Sequence, residues 1–252
     1  MQRTFFEWVI YILEKRGALF LSGTGVTVLI AVTGTLFGFI IGLLVGVVRG
    51  IRLSPHAGLP SRVLIRLLKG FITLYIEVFR GTPMIVQAMV IYYGLLEYFQ
   101  INMPKLVAAI FVISINTGAY MAEIVRGGIQ SVDAGQTEAA HSIGMSHWQT
   151  MTNVVLPQAI RNIMPAIGNE FIINIKDSCV LNVISVSELY FTAKSTTGAL
   201  YRYFEVFFIT GLIYLALTFT VSRLLRLLER RLDGPASFAM HSIPEAVGGK
   251  EG

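Results

Sequence analysis

The chain has 252 residues, 54% of them hydrophobic and only 14% charged, with a mean hydropathy of +0.66; soluble domains average about a quarter charged residues, so an ordinary soluble globule is excluded. A single cysteine, Cys179, excludes an internal disulfide, and the four histidines (His56, His141, His147, His241) show no metal-ligand spacing. The net charge of +5 gathers at the ends of apolar runs, where it orients a membrane chain rather than binding nucleic acid.

The first apolar run, Ala18 to Val48, is uncharged and longer than the ~20 residues a span needs. It follows Glu14, Lys15 and Arg16, exceeds the apolar core of a signal peptide and ends without a small-residue cleavage site, so it reads as a retained first span. Gly34, Gly38, Gly42, Gly46 and Gly50 recur every fourth residue, leaving one face free of side chains for a neighbouring helix. From Arg49 to Arg80, Arg49, Arg52, Arg62, Arg66, Lys69 and Arg80 oppose a single acid, Glu77, which predicts a cytoplasmic segment and an external N-terminus. Within it, Val63 to Phe79 is expected to form an amphipathic helix on the inner surface, because Arg66 and Lys69 leave only Gly70 to Ile76 uninterrupted.

Arg80-Gly81-Thr82-Pro83 then opens a second span, about Pro83 to Phe99. Ile101-Asn102-Met103-Pro104 makes an outer turn, and Lys105 to Val125 returns as the third span, with Asn116, Tyr120 and Glu123 in its inner half and Arg126 at its boundary. The stretch from Gly127 to Pro157 is polar and leaves the membrane. A fourth span, about Ile163 to Val186, is interrupted by Glu170, Lys176 and Asp177; an outer loop with Glu188, Lys194 and Arg202 follows. The fifth, Phe204 to Leu228, ends on Arg223, Arg226, Arg230 and Arg231. Five spans place both basic clusters on one side. The expected architecture is therefore an all-α integral membrane domain over residues 1–233, multi-pass, N-terminus outside and C-terminus cytoplasmic, with a disordered tail over 234–252.

Enzyme chemistry is scarce. Ala193-Lys194-Ser195-Thr196 echoes the end of a phosphate-binding loop but lacks its glycines, no G-x-S-x-G elbow exists, and no metal site is expected. Ionisable groups inside a bilayer cost about 2.5 to 3.5 kcal/mol or more each, so those of the fourth span are functional candidates by default. Glu170 and Asp177 are seven residues apart, two helical turns, and share a face; Lys176 lies about 100° from Asp177. Substrate-binding candidates are Glu170 and Asp177, with Gln87, Asn116 and Tyr120 as uncharged partners at matching depth. Arg80, Glu123 and Lys176 are candidates for a gate or a structural tie. A secondary transporter or channel for a small polar solute would also explain intramembrane charges, but neither internal repeats nor further spans are visible, and a membrane enzyme would need a nucleophile and base that cannot be assembled.

The polar interlude carries the most specific signal. Glu138-Ala139-Ala140, Gly144 four residues later and Leu156-Pro157 reproduce the spacing E-A-A, three residues, G, nine residues, I-x-L-P, with Val154 for isoleucine. This resembles the cytoplasmic loop of permease subunits of ATP-binding-cassette importers. Arg80-Gly81-Thr82-Pro83, Tyr92-Tyr93-Gly94, the run Gly118 to Gly128, Pro165 to Phe171 and Ile175 to Ser178 are similar to the polar amino acid branch, the histidine, glutamine and arginine permeases. The resemblance implies a type I importer fold in the bacterial inner membrane, with a coupling helix in the 127–157 loop that docks on an ATPase subunit through Glu138, Ala139, Ala140, Gly144, Trp148 and Pro157. It also implies a partner permease, the same or a homologous chain, an extracytoplasmic amino-acid-binding protein, and ATP with magnesium bound on the ATPase and no cofactor on this chain.

Overall fold

A computed structural model describes residues 3–50 and 58–232; Arg52, His56 and the tail expected to be disordered lie outside the described residues. Among those described, all regular structure is helical. Helix α1 (Phe5–Gly50) is a single helix of 46 residues. It begins well before the expected Ala18 because Thr4 and Glu7 cap it reciprocally: the Thr4 amide donates to Glu7 Oε2 at 2.7 Å and the Glu7 amide to Thr4 Oγ1 at 3.4 Å.

The glycine stripe of α1 is closed by α4 (Lys105–Gln130). Gly34 abuts Ile113, Gly38 abuts Thr117, Gly42 abuts Met121 and Gly46 abuts Val125, so each four-residue step on one helix matches one on the other and the two run parallel. Parallel neighbours need one return passage between them. It is supplied by α2 (Leu59–Gly81) and α3 (Met84–Phe99) together. Ile72 and Ile76 of α2 pack on Ala122, the Tyr75 hydroxyl donates to the Ile115 carbonyl at 2.7 Å, and Ala88 of α3 packs among Ala108, Ala109 and Val112. The pair thus climbs α4 in one antiparallel line.

This corrects the expectation of a surface helix over Val63 to Phe79. One face of its second half, Ile72, Tyr75 and Ile76, packs on α4 while Phe71, Leu74 and Glu77 stay exposed, and the Gly81–Pro83 interruption separates two helices that follow α4 in one line. Amphipathicity was the misleading signal, since a helix that packs its apolar face on a neighbouring helix has the same pattern as one lying on a membrane surface.

After α4 the chain forms α5 (Ala134–Ser142), α6 (His147–Thr150) and a π-helical turn, Met151–Val155, that runs directly into α7 (Leu156–Asp177). Helix α7 is antiparallel to α4: Gly128 meets Ile163 at one end and Thr117 bonds Asn174 towards the other. The fourth element therefore ends at Asp177 as α-helix and continues as a 3₁₀ segment, Ser178–Ile184, instead of running helically to Val186. The expected outer loop holds α8 (Leu189–Leu200), capped by Glu188, which is fully buried. Its carboxylate accepts from the amides of Tyr190 (2.8 Å) and Phe191 (2.6 Å) and from the Tyr214 hydroxyl (3.3 Å). Finally α9 (Tyr203–Leu232) packs Leu225 on Gly168 of α7 and, near its start, Val206 and Ile209 on Ile12 and Phe20 of α1.

Among the described residues, three helices are long and apolar enough to cross a membrane, over Phe5–Arg49, Lys105–Gln130 and Tyr203–Glu229. Helix α3 is apolar but short, and α7 carries Arg161, Glu170, Lys176 and Asp177.

Candidate translocation site and coupling projection

The break between α2 and α3 leaves backbone carbonyls at the end of α2 without helical partners. The side-chain amide of Gln87, buried one turn into α3, answers them: Nε2 donates to the Phe79 carbonyl, the Thr82 carbonyl and Thr82 Oγ1, each at 2.9 Å. Asn116 of α4 completes the set, donating from Nδ2 to Gln87 Oε1 at 2.9 Å and to the Phe79 carbonyl at 3.3 Å. Asn116 lies about 15 Å along α4 from Arg126, within a helix long and apolar enough to cross a membrane. Irregular backbone is tolerated within a membrane only where it is satisfied internally or lines a cavity. The Gln87 amide is thus spent on the helix break, and Asn116 braces it there.

Arg80 and Tyr120 stay available. The Arg80 guanidinium stands 5.5 Å from the Tyr120 ring centroid, both side chains are exposed, and Arg80 makes no ion pair among the described residues.

On α7, Glu170 is half-buried and Asp177 exposed, and neither carboxylate has a hydrogen-bond or ion-pair partner among the described residues. Lys176 is exposed and does not pair with Asp177. The rotational setting of the two acids is fixed by Asn174, which the sequence reading missed. Its Nδ2 donates to Thr35 Oγ1 of α1 at 2.9 Å and its Oδ1 accepts from Thr117 Oγ1 of α4 at 3.0 Å, all three groups being buried. Glu170 precedes Asn174 by four residues and Asp177 follows it by three, so both flank the α4-facing side. Glu170 is also about 200° around the helix from Gly168, whose side is closed by Leu225. The signal available in the sequence was one of polar residues, Thr35, Thr117 and Asn174, on otherwise apolar helices.

Glu123 is fully engaged where α1 and α4 approach their C-terminal ends. Its carboxylate pairs with Arg49 of α1 and, at 2.8 Å, with Arg126. It ties the ends of the two parallel helices together.

Beyond this tie, residues 127–157 form a compact projection. Asp133 caps α5 through the Gly135 amide at 2.7 Å. Gly144 ends it with φ +84°, a left-handed conformation, while the Met145 amide reaches back to the Ala140 carbonyl at 3.1 Å. Ser146 and Gln149 then form a capping box that starts α6. Pro157 has no N–H for the Asn153 carbonyl, and the preceding turn is π-helical, with the Leu156 amide bonded to Met151. Glu138, Ala139, Gly144, Trp148 and Pro157 are exposed, whereas Ala140 is buried. Ile143, 80% exposed beside the turn, joins Trp148 as an apolar group on this surface and was not anticipated.

Residues 38–234 match the family described as binding-protein-dependent transport system inner membrane component. The glutamine transport system permease protein GlnP of Escherichia coli (strain K12) is 37% identical over 217 residues, covering 85% of this chain and 93% of that protein. The arginine transport system permease protein ArtQ of Bacillus subtilis (strain 168) is 33% identical over 212 residues, 84% and 91% of the two chains. Among solved structures, an amino acid ABC transporter with histidines aligns at a TM-score of 0.77 and 40% identity, covering 92% of this chain and all of that one. The MetNI methionine ABC transporter, at 20% identity and a TM-score of 0.71, shares the fold.

Proposed function

The chain belongs to the family of binding-protein-dependent transport system inner membrane components, and on that premise we propose how it works as the membrane-spanning permease subunit of an ABC importer for amino acids. The observation that carries the reading is a pair of unpaired carboxylates, Glu170 and Asp177, on a helix that leads directly into the projection over 127–157. Binding and coupling thus share one rigid path. Substrate enters a central cavity bordered by α4, α7 and the α2–α3 break, where the carboxylates attract an ammonium or a cationic side chain. Arg80, one flank away over Tyr120, supplies the positive charge that a substrate carboxylate needs.

The substrate class is a polar amino acid, and a cationic one gains most from two adjacent acids. ATP and magnesium act on a separate ATPase chain that docks on the exposed Ile143–Trp148 surface, and closure of the ATPases moves α5 and α6. Because α6 continues through the π turn into α7, that movement reaches the carboxylates. Alternating access requires only that ATP and substrate favour different arrangements of the same helices. A second permease chain, the same or homologous, completes the cavity, and an external binding protein delivers substrate.

The strict alternation of α1, α2 with α3, α4, α7 and α9 supports five passages, with the Arg49–Glu123–Arg126 end cytoplasmic. In intact cells a tag before Met1 is then reachable and one after Gly252 shielded; both on one side would refute an odd number of passages.

The reading is tested at the projection. Replacing Gly144 by isoleucine forces a β-branched residue into a left-handed conformation, at a cost of about 1–2 kcal/mol or more, and Glu138→Lys reverses an exposed charge. Both variants are expected to insert normally and to lose uptake at least several-fold through weaker ATPase docking or uncoupled hydrolysis. Wild-type uptake by both would overturn the coupling assignment.

A further inference from the structure

The end of the bundle at which α1 and α9 begin carries a cluster that transport does not explain. The Arg3 guanidinium lies 4.9 Å from the Trp8 ring centroid and 3.9 Å from that of Tyr11, and the Arg202 guanidinium lies 4.4 Å from Trp8. Trp8 and Tyr11 meet edge to face at 5.5 Å. Two cations from opposite ends of the sequence are thus gathered on one indole.

Little in the protein neutralises them. Among the described residues Arg3 has no ion pair, and the one carboxylate paired with Arg202 is Glu205 at 3.8 Å, a long contact. Glu7, the acid nearest to Arg3 in sequence, is turned to the Thr4 amide as a helix cap. The Trp8 Nε1 is closed off from solvent and has no acceptor among the described residues. Bringing like charges together costs energy unless an anion joins them, and guanidiniums stacked on a ring keep their N–H edges free for two-pronged bonds to phosphate oxygens.

The surroundings say what kind of anion. Phe5 packs on Phe204 and Phe208 at 5.5 and 5.3 Å, immediately beside the cluster. Phe204, and Phe6 whose ring meets that of Phe5 edge to face at 5.2 Å, are 71% and 72% exposed. Tyr201 and Tyr203 are exposed on the same rim. The apolar stretch of α9 starts at Tyr203, so on α9 this level is where aromatic rings gather at the edge of the hydrocarbon. An anion there that also covers exposed phenylalanines has acyl chains attached to it.

We propose that Arg3, Trp8 and Arg202 form a headgroup site for an anionic phospholipid, binding its phosphodiester between the two guanidiniums while its chains cover Phe6 and Phe204. The bound lipid pins the long first helix to α9 and so steadies the outer end of the bundle. This goes beyond the transport reading and does not depend on it.

The test uses the full transporter complex in mixed phosphatidylglycerol and phosphatidylcholine nanodiscs, with lipids retained on release counted by native mass spectrometry. The wild type is expected to retain phosphatidylglycerol over phosphatidylcholine at least threefold, and the double variant R3Q/R202Q to lose that preference while assembling normally. R3K/R202K, which keeps charge without the planar fork, should fall between. Equal retention of the two lipids by the wild type, or unchanged preference in R3Q/R202Q, overturns the site. If the double variant instead loses only stimulation by the external binding protein, the patch is a protein-docking surface and the proposal fails.

Discussion

Replacing Glu170 by glutamine is expected to lower uptake of the preferred amino acid ten- to a hundredfold while leaving assembly with the ATPase intact. The carboxylate is half-buried on α7 with no partner among the described residues. A hydrogen bond to a charged group contributes about 1.5–3 kcal/mol, and each 1.4 kcal/mol is about tenfold in affinity. Glutamine keeps the volume and removes the charge, so the loss should appear in substrate affinity and in substrate-stimulated hydrolysis. A structural role predicts the reverse. Removing an uncompensated charge from the bilayer would stabilise the chain, leaving transport unchanged and the complex more resistant to heat. Asp177→Asn is expected to act in the same direction and more weakly, because Asp177 is more exposed and nearer Lys176.

Replacing Gly42 by leucine should prevent a stable bundle from forming. A Cβ at that position would stand 2.7 Å from the Met121 carbonyl carbon and 2.8 Å from the Ala122 amide nitrogen, both backbone atoms that cannot rotate away. Overpacking in a well-packed interior costs about 1–3 kcal/mol, and more where backbone must shift. Even alanine is expected to reduce the yield of folded complex severalfold. Gly17 and Gly25 of the same helix have nothing within 4 Å of an added Cβ, so leucine there should leave the yield near wild type. Equal yields from Gly42→Leu and Gly25→Leu, measured by size-exclusion chromatography of solubilised complex, would contradict the parallel α1–α4 packing.

Much of this architecture was legible because its causes are local. The four-residue glycine period, the apolar lengths of α1, α4 and α9, and the Gly144 turn each follow from spacing that survives any tertiary context. What was not legible depended on partners far away in sequence. The amphipathic pattern of α2 is the same whether its apolar face meets lipid or a neighbouring helix, and only the bonds from Tyr75 to Ile115 and from Gln87 and Asn116 to the helix break distinguish the two. Glu188 was read only as a member of an outer loop because nothing in its neighbourhood announces Tyr214, 26 residues on, or the α8 amides it caps. Among the candidate site residues, Gln87 and Asn116 were chosen for polarity at a depth matching the α7 acids, and the same polarity serves to satisfy orphaned carbonyls. A polar residue inside a membrane must bond something. The sequence shows the need and not the partner.

On the proposed function the chain converts ATP hydrolysis on a partner subunit into import of an amino acid. Proteoliposomes holding the permease with its ATPase, loaded with ATP and magnesium, and supplied outside with binding protein and a panel of labelled amino acids, measure it directly. Accumulation of one or a few polar amino acids that stops when a non-hydrolysable ATP analogue replaces ATP is the predicted result. Uptake that persists without hydrolysable ATP and follows an imposed proton or sodium gradient would contradict it.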